Sequence, residues 1–134
     1  MRYVCLSGLA AILPFFCGCS TGARVHQPMR AIWVTRWDYR QAEDIPRIMD
    51  NCANAGFNTV LFQVRGNGTA FYDSPYEPWA EEFDFKNPGY DPLRDACREA
   101  HDRGLELHAW VNVMPAWRGP AEPAAKDQLY HAHP

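Results

Sequence analysis

Apolar residues gather in three short runs of this chain, the second apolar on both faces until Gln63 and the third alternating with polar residues, and recur at helical spacing in two longer ones. Residues 29–35 (M-R-A-I-W-V-T), 58–64 (N-T-V-L-F-Q-V) and 105–112 (L-E-L-H-A-W-V-N) carry strand signatures, being rich in β-branched and aromatic residues. Ile45, Ile48, Met49, Cys52 and Ala55 form one helical stripe, and Leu93, Ala96, Cys97 and Ala100 form another. The first helix is expected over residues 45–55, with Asp44 as N-cap and Pro46 in the first turn. The second is expected over residues 92–103, with Asp91 as N-cap. Gly56 and Gly104 stand where helix-ending glycines belong. The order β-α-β-α-β predicts parallel strands beneath helices, an α/β fold.

Side chains alternate faces along a strand, so the third run separates its chemistry cleanly. Leu105, Leu107, Ala109 and Val111 fall on one face; Glu106, His108, Trp110 and Asn112 fall on the other. A row of polar groups is costly unless it meets a ligand, water or a polar network. The inward face of a parallel α/β barrel provides that setting, with the apolar face under helices. The fold class expected is therefore a partial (β/α)8 barrel of TIM type, holding the first three parallel strands and two helices within residues 29–134. A closed barrel takes eight such units and roughly 250 residues. Three strands leave open edges, so the chain is expected to be the N-terminal part of a longer unit, a truncated product, or a protein that pairs with something else.

The first residues read as a targeting segment. Arg2 is a basic start, residues 3–16 are apolar, and F-C-G-C-S follows. A small residue before Cys19 resembles the lipobox of bacterial lipoproteins. That resemblance implies a signal peptide over residues 1–18, acylation of Cys19, a tether over residues 19–28, and a cell-envelope protein held to a membrane by its lipid. A plain secretory signal is the alternative. Cys52 and Cys97 would then be the cysteines of the folded part. An oxidising compartment permits a bridge between them, but each lies on its helix's apolar stripe, where a thiol packs as a small hydrophobe. Net charge is only −3 and no basic block occurs, which argues against nucleic acid as a partner. Residues 65–90 form a connection longer than ordinary, and its aromatics, Tyr72, Tyr76, Trp79, Phe83, Phe85 and Tyr90, point to a functional loop.

Five segments together carry a family resemblance: R-A-I-W-V-T (30–35), G-F-N-T-V-L-F-Q-V-R (56–65), S-P-Y-E-P-W (74–79), P-G-Y-D-P-L (88–93) and H-D-R-G-L-E-L-H-A-W-V-N (101–112). In order and spacing they resemble the start of the glycoside hydrolase-like 10 family, bacterial and often lipoprotein barrel enzymes linked to glycan cleavage, peptidoglycan strands included. The resemblance implies a substrate cleft at the C-terminal strand ends: Thr35, then Gln63, Val64 and Arg65, then Trp110, Val111 and Asn112. It also implies catalytic acids on later strands, in a D-G-I-H-x-D-D-Y-like segment that has no counterpart after Asn112. Glycosidases need two carboxylates flanking the scissile bond. This chain offers no such pair, and its catalytic residues stay unassigned.

The substrate-side candidates are Gln63, Arg65, His108, Trp110 and Asn112. Trp110 offers an indole face to a sugar, and Asn112 and His108 can bond hydroxyls. Arg65 fits either a ligand carboxylate or hydroxyl, or a brace for the long connection. Trp33 is expected to pack in a barrel lumen, and Glu106 to pair with Arg30 across its floor. Trp79 and Trp117 fit sugar platforms or loop anchors alike. His131 and His133 have the spacing of a zinc pair but no third ligand, so neither metal nor cofactor is expected. The function expected is a contribution to the substrate cleft of a secreted, lipid-anchored hydrolase acting on a polysaccharide. A glycan-binding lipoprotein without activity and a truncated product fit the same residues.

Overall fold

A computed structural model describes residues 27–132. The expected signal peptide, Cys19, most of the tether and His133 lie outside the described residues. The elements are β1 (Ala31–Val34), α1 (Asp44–Asn54), β2 (Thr59–Gly66), β3 (Thr69–Ala70), α2 (Pro92–Asp102), β4 (Glu106–Val111) and a short α3 (Leu129–Ala132), with a 3-10 turn at Glu81–Phe83. None of the described helices is long and apolar enough to cross a membrane.

β2 is the central strand. It pairs in parallel with β1, from Ala31 opposite Thr59 to Val34 opposite Phe62. It pairs in parallel with β4, from Thr59 opposite Glu106 onward. The expected α/β order and the three parallel strands are therefore present. The connection after β2 is more ordered than the sequence suggested. The chain reverses at Asn67-Gly68 and β3 returns antiparallel, with Gly66 opposite Thr69 and Arg65 opposite Ala70. Both turn residues have positive φ, 49° and 64°, the conformation a two-residue hairpin of this twist requires.

The outward face of the sheet is dry over β2 and the adjoining parts of its neighbours, whereas Ala109 and Val111, expected beneath helices, are exposed at the end of β4. Val34, Val60, Phe62, Val64 and Leu105 are buried together with Ile45, Met49 and Cys52 of α1 and Ala96 and Ala100 of α2. Tyr39, from the connection after β1, is wholly buried, and its ring stacks on Phe62 at 4.5 Å. Its hydroxyl donates to the Gln63 carbonyl at 2.6 Å, so a buried strand carbonyl is satisfied by a side chain. Burial pushes this phenol far above its ordinary pKa. Each helix ends, as expected, just before a glycine of positive φ, Gly56 and Gly104. Asp91 caps α2 through the Arg94 N–H at 3.0 Å. Asp44 is a correction: it is the first helical residue, not the cap. Its carboxylate is taken by the preceding turn, accepting from the Arg40 and Gln41 N–H groups at 3.0 and 3.1 Å, and it also pairs with Arg47. Cys52 is buried and Cys97 half-buried; both thiols are free, and burial pushes that of Cys52 up.

The C-terminal segment is fastened to the β2–β3 hairpin by one side chain. Gln128 is fully buried, and its Nε2 donates to the Asn67 carbonyl at 2.6 Å and to the Ala116 carbonyl. Gly68 makes room for it: a Cβ there would lie 2.5 Å from Gln128 Nε2 and 2.8 Å from the Ala116 oxygen. Gly68→Ala therefore carries a steric cost on top of the left-handed backbone, whereas Gly89, also at positive φ, has open space where its Cβ would go. Gly68→Ala is expected to lower unfolding stability by about 2 kcal/mol and Gly89→Ala by about 1 kcal/mol, measured by urea denaturation. Equal losses would show that the Gln128 clasp adds nothing.

Candidate functional site

Three strand ends and two loops meet in a cleft of about 330 Å³. Arg36 and Trp37 follow β1. Gln63 lies near the end of β2 and Asn67 in its hairpin. Trp110 and Asn112 come from the end of β4, and Pro115, Trp117 and Arg118 from the segment beyond it. This is the C-terminal end of the parallel strands, where α/β sheets place their ligands.

Three of the five expected residues come together here: Gln63, Trp110 and Asn112. Gln63 is buried and its Oε1 accepts the Arg36 backbone N–H at 3.2 Å, so it ties β1 to the cleft floor. Trp110 is half-buried, with its ring 6.3 Å from that of Trp33. Trp33 departs from expectation: it is 69% exposed on the open inward face instead of packed in a lumen. Trp117 is held by its indole N–H, which donates to the Ala121 carbonyl at 2.6 Å. Trp79 lines a different cavity, of about 260 Å³, beside Tyr90 and Asp91.

Arg65 and His108 do not line the cleft. Between Gln63 and Arg65 the β2–β4 register slips, so that Gln63 faces Trp110 but Arg65 faces Val111 instead of Asn112. Such a bulge re-aims the side chain that follows it. Arg65 lines a neighbouring cavity with Tyr72, Ser74 and Glu77. Its guanidinium grips Glu77, with Nε 2.8 Å from Oε2, and donates to the Asn112 and Val113 carbonyls. The hydrogen bond to Glu77 raises the Arg65 pKa further. One side chain thus joins β2, the long connection and the exit of β4. His108 lies further back on the inward face, where its Nε2 is 3.2 Å from Glu106. That pair corrects the expected link between Glu106 and Arg30. Arg30 is drawn instead to the end of α1, its Nε donating to the Gly56 carbonyl at 2.6 Å. His131 sits with a ring nitrogen 2.9 Å from the Pro123 carbonyl.

Arg36, Trp37, Asn67 and Arg118 are cleft residues that the sequence pattern did not single out. Arg36 is 8% exposed and lies across Gly66, where a Cβ would collide with its Nη1. Its Nε is 3.0 Å from Glu82 Oε1, but the N–H is not aimed at that oxygen, and the contact is one of charge. Its guanidinium also lies 4.8 Å from the Trp37 ring centre. Among the described residues no carboxylate lines the cleft.

The Arg65–Glu77 pair is mostly buried, with side chains 11% and 16% exposed. Removing one partner strands a buried charge. Glu77→Gln is expected to cost about 2 kcal/mol in chemical denaturation, and Arg47→Gln, at an exposed pair, less than about 0.5 kcal/mol. A Glu77 variant as stable as the parent would show the pair to be dispensable.

A family profile described as glycosyl hydrolase-like 10 matches residues 28–134. The chain is 36% identical to the glycosyl hydrolase DigH of Escherichia coli (strain K12), covering 69% of this chain and 26% of that protein. It is 33% identical to the glycosyl hydrolase YngK of Bacillus subtilis (strain 168), covering 67% of this chain and 21% of that protein. It spans about a quarter of the length of these relatives. On the extent of the profile match, the chain belongs to the glycosyl hydrolase-like 10 family.

Proposed function

We propose that this chain supplies the opening strands of a (β/α)8 barrel in a glycan hydrolase of the bacterial cell envelope, and with them one wall of its substrate cleft. The observation that carries this reading is the lining of the cleft. Trp37, Trp110 and Trp117 offer apolar faces suited to the C–H faces of sugar rings, and Asn67 and Asn112 offer amides that suit hydroxyls. Polysaccharide, peptidoglycan strands included, is the substrate class. In this proposal Trp110 and Asn112 meet substrate, while Gln63 and Arg65 hold the strand ends that present them.

Hydrolysis of a glycosidic bond needs an acid and a second carboxylate about 5–10 Å apart across the bond. With no carboxylate in the described lining, the chain binds and orients while the acids come from elsewhere in the barrel. The inward face fits that division. Trp33 is 69% exposed and the His108 side chain 46% exposed, surfaces that further strands would enclose. The anchor is part of the same proposal: Cys19, acylated after cleavage, tethers the folded part to the membrane.

The purified chain is expected to release no reducing ends from peptidoglycan, yet to be retained on the insoluble polymer in a pull-down. Trp110→Ala and Asn112→Ala should each weaken retention about tenfold, the loss of a stacked ring or a buried hydrogen bond. Reducing-end release that disappears in these variants would overturn the division of labour, and retention unaffected by either would remove the cleft from the proposal. For the anchor, cells fed radiolabelled palmitate are expected to label the chain, and Cys19→Ala to abolish the label. Equal labelling of the variant would assign the lipid elsewhere.

A further inference from the structure

We propose that Arg36 is the specificity-determining residue of the cleft, and that it reads a carboxylate carried on a sugar ring. This rests on the glycan-cleft reading above and adds the charge of the ligand to it.

Arg36 is more than nine-tenths buried, yet it lines an open cleft and its Nε–H has no hydrogen-bond acceptor. A buried donor without a partner is costly and uncommon in a folded protein. Its nearest anion, Glu82, sits at 3.0 Å out of line with the N–H, so it compensates charge without using the donor. The guanidinium is also held in place. It lies against Gly66, the position on β2 where any side chain would displace it, and its plane approaches the Trp37 ring. A second cation, Arg118, belongs to the same lining, and no carboxylate among the described residues does.

The outer Nη groups of a guanidinium held in one orientation at the edge of a cleft are matched by a carboxylate, which accepts two parallel N–H bonds. A neutral hydroxyl would accept a single N–H and leave the rest of the fork unmatched. The indoles of the lining set the rest of the ligand. Trp37 and Trp110 belong to the same wall, so the carboxylate must come attached to a ring that can lie against them. An acidic sugar unit meets both demands.

The test uses the full chain and two probes that differ only in charge: the disaccharide of N-acetylglucosamine and N-acetylmuramic acid with its lactyl carboxylate free, and the methyl ester of the same disaccharide. Binding is followed by tryptophan fluorescence. The free acid is expected to bind at least about tenfold more tightly than the ester, the usual scale of a charge-assisted pair. Arg36→Gln should bring that ratio to about one by weakening binding of the free acid more than that of the ester. Glu82→Gln should raise the ratio by removing the competing anion, and it decides the matter if Arg36→Gln does not fold. Equal binding of acid and ester by the parent, or a ratio untouched by Glu82→Gln, overturns this proposal and leaves the cleft reading standing. Binding of neither probe overturns both.

Discussion

The fold depends on keeping one face of β2 out of water. Val60, Phe62 and Val64 are buried in one cluster with Tyr39 before α1, Ile45 and Met49 of α1, Phe71 just after β3, and Ala96 and Ala100 of α2. Burying three such side chains is worth several kcal/mol, on the order of 1.5–3 each. That burial fixes the strand's register, because a slip of one residue would turn the whole set outward. The same constraint defines the functional face. With odd-numbered positions of β2 forced inward as far as Gln63, the partners in register, Trp33, His108 and Trp110, are forced inward too.

This alternation is why so much was legible beforehand. The order of elements, the glycine stops and the split of β4 into two faces follow from periodicity alone, and no knowledge of contacts is needed. What the pattern missed has equally physical causes. The Asn67-Gly68 turn is a strong hairpin signal, but the strand after it has two residues and leaves no alternation to detect. Arg36 and Trp37 come just after the last regular residue of β1, and periodicity says nothing about residues past a strand's end. Arg30 and Glu106 stand at the starts of the two parallel strands that flank β2, yet Arg30 finds a closer acceptor in the Gly56 carbonyl just past α1. Local backbone geometry outweighed a longer-range charge pair.

The cleft combines parts with different degrees of support. Its floor is stiff: Gln63 is tied to the Arg36 backbone, and Arg65 beneath the adjoining loops bridges three segments. Its far wall, with Trp117 and Arg118, belongs to a stretch held chiefly by Gln128 and by the Trp117–Ala121 hydrogen bond.

The slip between Gln63 and Arg65 has a meaning for how such clefts diversify. Val64 is the extra residue, and by absorbing it β2 turns a cation away from the mouth and into the scaffold. Were Val64 taken into regular pairing, Arg65 would stand beside Asn112 and the entrance would gain a positive charge with no change in amino-acid identity. Selectivity at this edge is thus encoded in how residues are spaced as well as in which residues they are. Two homologues matching letter for letter along this strand can still greet a ligand differently.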